Sequence, residues 1–273
     1  MYEKYWGFRE KPFQNTPNPR FFYESPEHEE VLMKMLYVIE QNMGAGMLSG
    51  VFGCGKTVIG QAICDWLPHD KYKIAFITNP QLEYVELLRA IVRSLKAVNL
   101  PEKKTELSAD SMLEILGNIL ENNSRDGQET VLIIDEAHII KEECIFEELR
   151  LLLNFQSRER FLLSLLLFGQ PELKQKIEDN KQLEQRIAIK CHLEGFDYSD
   201  TQNYIIHRLR VAEAINPEVI FCESAVKTIH SRSGGIPRRI NRICDLSLLV
   251  GMGQSMARVD EGAVEAGLKM MEG

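Results

Sequence analysis

Gly50-Val51-Phe52-Gly53-Cys54-Gly55-Lys56-Thr57 is the stretch that decides the fold of this chain. It matches G-x-x-x-x-G-K-[ST] at every specified position. The residues before it, Met47-Leu48-Ser49, read as a short buried strand, and 56–67 reads as a helix. Strand, glycine loop and helix in that order form the context in which this motif cradles phosphate. Glycines let the backbone turn tightly and aim amide N–H groups at phosphate oxygens. The helix N-terminus adds positive potential. Lys56 is expected to reach the β- and γ-phosphates and Thr57 to ligate Mg²⁺. Gly50, Val51, Phe52, Gly53, Cys54, Gly55, Lys56, Thr57 and Val58 are therefore the expected contacts of ATP or ADP. A chance glycine turn is the alternative, and both flanks count against it. Cys54 inside the loop, close to amide donors, is expected to have a lowered pKa and to be sensitive to oxidation.

Further along, Val131-Leu132-Ile133-Ile134-Asp135-Glu136 is an apolar run ending in two acids. A buried strand would carry them to the C-terminal edge of a sheet, where open α/β folds bind ligands. Asp135 is the expected Mg²⁺ partner and Glu136 the group that polarises the attacking water. Standing alone, Asp135 could equally be a simple helix cap. His138 has no cluster around it that suits a metal; a polar contact near the site or plain exposure is expected.

The rest of the chain alternates in the same way. A helix is expected from Ser25, with Pro26 at its first position and acids at Glu27, Glu29 and Glu30, ended by Gly44 and Gly46. Strands are expected over 73–78, 130–134, 161–168 and 187–193. Helices are expected over 84–98, 112–120 and 143–153, with a short one from Pro171. A polar connection covers 99–108. Alternating strands and helices imply a mostly parallel sheet flanked by helices. After Gly195 only helical patterns remain, over 199–214, 224–231, 237–249 and 260–268. The expected organisation is an aromatic, proline-rich arm over 1–24 that packs onto something, an α/β domain over 25–196, and a small all-α lid over 197–273. Proline density in the arm argues against a helix there.

The chain has 273 residues, 44% hydrophobic and 26% charged, with a formal net charge of −8. An acidic balance speaks against indiscriminate nucleic-acid binding, though a local basic patch remains compatible with it. Six scattered cysteines without C-x-x-C spacing suit a reduced, cytoplasmic chain without a zinc or disulfide framework. No apolar run is long enough to cross a bilayer.

Taken with two further stretches, Gly169-Gln170-Pro171-Glu172-Leu173 and Gly235-Ile236-Pro237-Arg238-Arg239-Ile240-Asn241, these motifs resemble an AAA+ ATPase. More narrowly the chain resembles the general secretion pathway protein A type. The opening Tyr5-Trp6-Gly7-Phe8-Arg9-Glu10-Lys11-Pro12-Phe13 and Pro17-Asn18-Pro19-Arg20-Phe21-Phe22 are similar to that group as well. The resemblance covers essentially the whole chain. It implies a P-loop fold with a helical lid, ATP hydrolysis, and Mg²⁺ held by Thr57 and Asp135. It implies catalytic roles for Glu136 and Lys56, and a polar sensor role for Gln170. Pro237 and Arg238 would contact nucleotide, with Arg238 as the second sensor, reporting loss of the γ-phosphate as a movement of the lid. Arg186 would project into the next subunit's site as an arginine finger; a surface arginine is the alternative, and Arg158 and Arg160 compete for the role.

The resemblance also implies an ATP-favoured homo-oligomeric ring, and a protein partner in secretion or envelope machinery. It places the chain in the cytoplasm or at the inner membrane through that partner. Relatives continue into a membrane span and a cell-wall-binding region, so the sequence to Gly273 would be a short member or the ATPase part of a longer one. Two other functions compete. One is a DNA-binding transposition regulator that recruits a transposase, with Arg232, Arg238, Arg239 and Arg242 on phosphates. The other is a nucleotide-binding adaptor without hydrolysis, which the Asp135-Glu136 pair opposes.

Overall fold

The computed structural model describes residues 1–16, 18–95, 108–157 and 160–272. Pro17, Arg158, the connection over 99–107 and the expected helix end at 96–98 lie outside them. In chain order the elements are α1 (Tyr2–Trp6), α2 (Pro26–Glu40), β1 (Ala45–Gly50), α3 (Lys56–Trp66), β2 (Tyr72–Ile77), α4 (Tyr84–Ser94) and α5 (Ala109–Arg125). There follow β3 (Glu129–Ile134), α6 (Glu143–Leu152), β4 (Leu163–Gly169), α7 (Glu172–Asp179), α8 (Lys181–Glu184) and β5 (Ile187–Leu193). The remainder is helical: α9 (Tyr198–Val211), α10 (Pro217–Ile220), α11 (Glu223–Ser233), α12 (Pro237–Gly253) and α13 (Glu261–Glu272). The chain forms two compact units. One contains residues 27–52 and 59–193, the other residues 1–26, 53–58 and 194 onward.

In the first unit five parallel strands run in the order β2-β3-β4-β1-β5. Every residue of β4 is buried, and so is all of β3 after Glu129. That is why both read as almost wholly apolar runs, interrupted only by Thr130 and Ser164, as strands covered on both faces do. β5 lies at the sheet edge and alternates buried with exposed positions. The core on one face joins Met47, Leu132, Leu165 and Leu167 to Leu88 and Val92 of α4, Leu116 of α5 and Leu149 of α6. Gly60 lets α3 lie against the sheet, because a Cβ there would stand 3.0 Å from the Phe76 ring.

Two expectations need correction here. α2 stops at Glu40, and the chain turns through Asn42 and Gly44, both at positive φ. Gly46 does not end the helix; it lies inside β1, where a Cβ would come within 3.0 Å of Leu166 and 3.3 Å of the Met35 sulfur. α5 begins at Ala109, ahead of the expected 112, because Ser108 caps it by accepting the Ser111 N–H at 3.2 Å.

The second unit contains a further correction. The first residues form helix α1, since the prolines begin only at Pro12. Gly7, at φ 73°, closes it in the left-handed conformation. The Trp6 indole donates to the Leu248 carbonyl at 3.0 Å, and the Tyr2 hydroxyl donates to Asp245. The arm continues onto the helices: Phe8, Phe13 and Phe21 share a core with Tyr204, Leu209, Ile229, Ile243 and Leu248. Arg208 ties the arm down from below. Its guanidinium donates to the carbonyls of Pro12 at 2.6 Å and Gln14 at 2.8 Å, and stacks 4.5 Å from the Phe21 ring.

Candidate nucleotide site

The C-terminal ends of β3, β4 and β1 are neighbours in the sheet. Asp135 and Glu136 follow β3, Gln170 follows β4, and Gly50 ends β1, with the rest of the glycine loop next in sequence. The ladder holds Asp135 in place, since its N–H donates to the Ile77 carbonyl at 2.8 Å. Asp135 is 2% exposed, and one of its oxygens accepts the Glu136 N–H at 2.9 Å. Glu136 has φ 53° and ψ 31°, in the left-handed region. A non-glycine residue there costs of order 1–3 kcal/mol, and such strain concentrates at functional sites.

In the loop, Gly53 has φ 87° and Gly55 φ 112°. Side chains are disfavoured at both, so these two positions require glycine. Lys56 opens α3 and is 4% exposed, while Phe52 lies in the open. Cys54 is fully buried, and burial pushes its thiol up, with Lys56 acting more weakly in the other direction. The lowered pKa expected for Cys54 is therefore not found: desolvation outweighs the neighbouring donors.

Arg238 is at the start of α12, after Pro237 at its first position. The turn before it is tightly specified. Gly235 has φ 72°, a Cβ there would fall 2.0 Å from the Phe196 carbonyl oxygen, and the Phe196 N–H donates to Gly235 at 2.9 Å. The Arg238 N–H in turn donates to the Gly53 carbonyl at 3.3 Å. Arg238 thus starts beside the glycine loop, with its side chain exposed.

Arg186 lies elsewhere. It immediately precedes β5, at the N-terminal edge of the parallel sheet, while Asp135 and Gln170 follow strands at the C-terminal edge. Its guanidinium donates to the Asn154 side-chain Oδ1 at 3.4 Å and lies 5.9 Å from the Phe161 ring centre. Arg160 pairs with Ser124 and Glu129. Of the arginines considered for DNA, Arg232 is paired with Glu265 at 3.1 Å, and Arg239 and Arg242 are exposed.

His138 takes the polar contact rather than full exposure. Its Nδ1 is 3.3 Å from Glu136 Oε2 and 3.3 Å from the Gln170 backbone nitrogen. Lys176 of α7 donates to the carbonyls of His138 at 2.6 Å and Ile140 at 2.5 Å. No sequence signal marks Lys176, which reads as one more solvated lysine on a polar helix.

The donor types suit the expected ligands. Asp135 and Thr57 offer hard oxygens, the class Mg²⁺ takes when it keeps water and phosphate as its other ligands. Among the described residues no three His, Cys, Asp or Glu side chains converge as metal ligands.

The sequence over residues 39–177, half of the chain, matches the AAA domain family. The chain belongs to that family. It is 35% identical over 267 residues to general secretion pathway protein A of Aeromonas hydrophila, a match that takes in 97% of the chain. The chain spans about half, 47%, of that relative's length. Among solved structures, the fold is similar to the Aeropyrum pernix ORC2 protein, with TM-score 0.65 and 18% identity, over 93% of this chain and 72% of that one. The Drosophila ORC bound to DNA gives TM-score 0.70 at 16% identity, over 97% and 65%. The Thermotoga maritima RuvB Holliday junction branch migration motor gives 0.58 at 19%, over 89% and 68%. These likenesses establish an AAA+ P-loop fold with a helical C-terminal region. Among the described residues no helix is long and apolar enough to cross a membrane.

Proposed function

We propose that this AAA+ protein binds and hydrolyses ATP, and that its nucleotide state governs self-association and the engagement of a partner in secretion or envelope machinery. The observation that carries the reading is the placement of Asp135-Glu136, Gln170 and the glycine loop after three adjacent strands of one sheet. Loop amides from Gly50 to Val58 and the Lys56 ammonium bind the phosphates. Thr57 and Asp135 hold Mg²⁺, whose charge offsets that of the β- and γ-phosphate oxygens. Glu136 orients the water for in-line attack, Gln170 senses the γ-phosphate through its amide, and Pro237 and Arg238 contact the nucleotide from the helical region. Partnership with secretion machinery rests on the 35% identity to general secretion pathway protein A, and would place the chain in the cytoplasm or at the inner membrane through its partner. The DNA-directed alternative draws on a chain of net charge −8 and on Arg232, already paired with Glu265, so the secretion-type reading is preferred.

Glu136→Gln tests the core of this reading. The variant should bind ATP as the wild type does and lose hydrolysis by at least about a hundredfold, the usual size of a lost general-base contribution. Equal phosphate release by the two proteins would remove the ATPase assignment.

A further inference from the structure

Two groups compete for one atom at the end of the sheet. Nδ1 of His138 lies 3.3 Å from Glu136 Oε2 and 3.3 Å from the Gln170 backbone N–H. A neutral imidazole carries a single N–H, and Nδ1 either donates or accepts. With the proton on Nε2, Nδ1 accepts the Gln170 amide and offers nothing to the carboxylate. With the proton on Nδ1, it donates to Glu136 and the Gln170 amide loses its acceptor. The two bonds exclude each other.

The surroundings keep both partners within reach. The His138 side chain is 12% exposed and that of Glu136 28%, so water competes weakly for either bond. Gly169 brings the end of β4 against the turn: a Cβ there would be 3.2 Å from the His138 backbone nitrogen and 2.9 Å from the Leu173 side chain. Lys176 fastens the same turn to α7 through the carbonyls of His138 and Ile140. Residues 136–140 and 169–176 are thus linked by bonds between side chain and backbone, and a shift of Gln170 acts directly on the His138 ring. Glu136 has a strained left-handed backbone, and its carboxylate lies within reach of the same Nδ1.

We propose that His138 is a positioning residue for Glu136: through the alternate bonding of Nδ1, it couples the placement of Gln170 to the orientation of the carboxylate that directs water. This rests on the ATPase reading of the site.

The test compares His138→Leu, His138→Asn and His138→Gln with wild type and Glu136→Gln. An asparagine amide occupies the region of Nδ1, whereas a glutamine amide reaches that of Nε2. His138→Leu should lower kcat about tenfold with KM for ATP unchanged, the pattern of a group that acts on the chemical step rather than on binding. Asn should recover most of the loss and Gln little. If Leu prevents folding, the Asn and Gln pair carries the comparison. Imidazole ¹⁵N NMR of the wild type, with His138 assigned by its loss in His138→Asn, should show a change of tautomer when ADP is replaced by a non-hydrolysable ATP analogue. A kcat within twofold of wild type for all three variants, equal recovery by Asn and Gln, or an unchanged tautomer would overturn the proposal. Wild-type hydrolysis no faster than that of Glu136→Gln would remove the ATPase reading and this coupling with it; an active wild type with indifferent His138 variants would remove the coupling alone.

Discussion

Gly53 meets two demands at once. Its φ of 87° disfavours any side chain, and an added Cβ would stand 2.7 Å from Cβ of Arg238. The first costs about 1–2 kcal/mol for an alanine. The second requires the start of α12 to give way, breaking the 3.3 Å bond from the Arg238 N–H to the Gly53 carbonyl. Gly53→Ala should therefore lower the thermal midpoint of the protein and weaken ATP binding together; calorimetry and nucleotide titration of the same sample check both. At this scale the sequence is most informative. Gly53, Gly55, Lys56, Asp135 and Glu136 are legible because their chemistry is written in contiguous residues. Arg238 is legible only through its Gly-Ile-Pro-Arg surroundings. The particular partners of His138 and Lys176 are not legible, since these contacts arise where β4 and α7 meet a turn some 30 residues earlier in the chain.

Among the elements, the strands are the clearest in the sequence. β3 and β4 are buried on both faces, so burial and hydropathy coincide along most of their length, with Thr130 and Ser164 as buried polar exceptions. The helix ends are harder: α5 starts early because of a local bond from Ser111 to Ser108, which the apolar stripe alone does not report. The arm is hardest, because its structure depends on residues near the other end of the chain. Helix α1 packs on α12, and the segment after it is held by Arg208, 6% exposed. That buried cation gives its donors to two backbone carbonyls and to the Tyr204 hydroxyl at 3.3 Å. Desolvation lowers its pKa, partly offset by Tyr204. Arg208→Met keeps much of the stem and removes the donors, leaving the Pro12 and Gln14 carbonyls short of partners. Hydrogen bonds to a charged group contribute about 1.5–3 kcal/mol each, so a loss of about 3 kcal/mol or more is expected. Urea denaturation would read it, and limited proteolysis should cut within residues 9–16 first. Unchanged resistance to both would show that the apolar contacts of Phe13 and Phe21 hold the arm without Arg208.

For the whole molecule, the position of Arg186 sets the question. It stands before β5, while Asp135 and Gln170 stand after their strands, so the length of a parallel strand separates the two edges. A strand of seven residues, as β5 is, spans roughly 20 Å at about 3.3 Å per residue. An arginine side chain does not bridge that distance within one sheet. If Arg186 acts on a nucleotide, it acts on that of another copy, and activity then requires assembly. A mixing experiment separates this from a surface role. On the proposed reading, Arg186→Ala retains Glu136 but lacks the finger, and Glu136→Gln retains the finger but lacks the group that would direct water. Each alone should hydrolyse ATP poorly, the first because a trans arginine contributes several powers of ten in rate. Mixed, they should regain activity above the sum of the two, because a Glu136→Gln neighbour supplies its Arg186 to the intact site of an Arg186→Ala copy. Light scattering on Glu136→Gln with ATP and Mg²⁺ should show, under the same conditions, a mass that is a defined multiple of 31.3 kDa. Full activity of Arg186→Ala by itself would leave that arginine a surface residue, and a mass that stays at one chain with ATP bound would make the protein a monomeric switch.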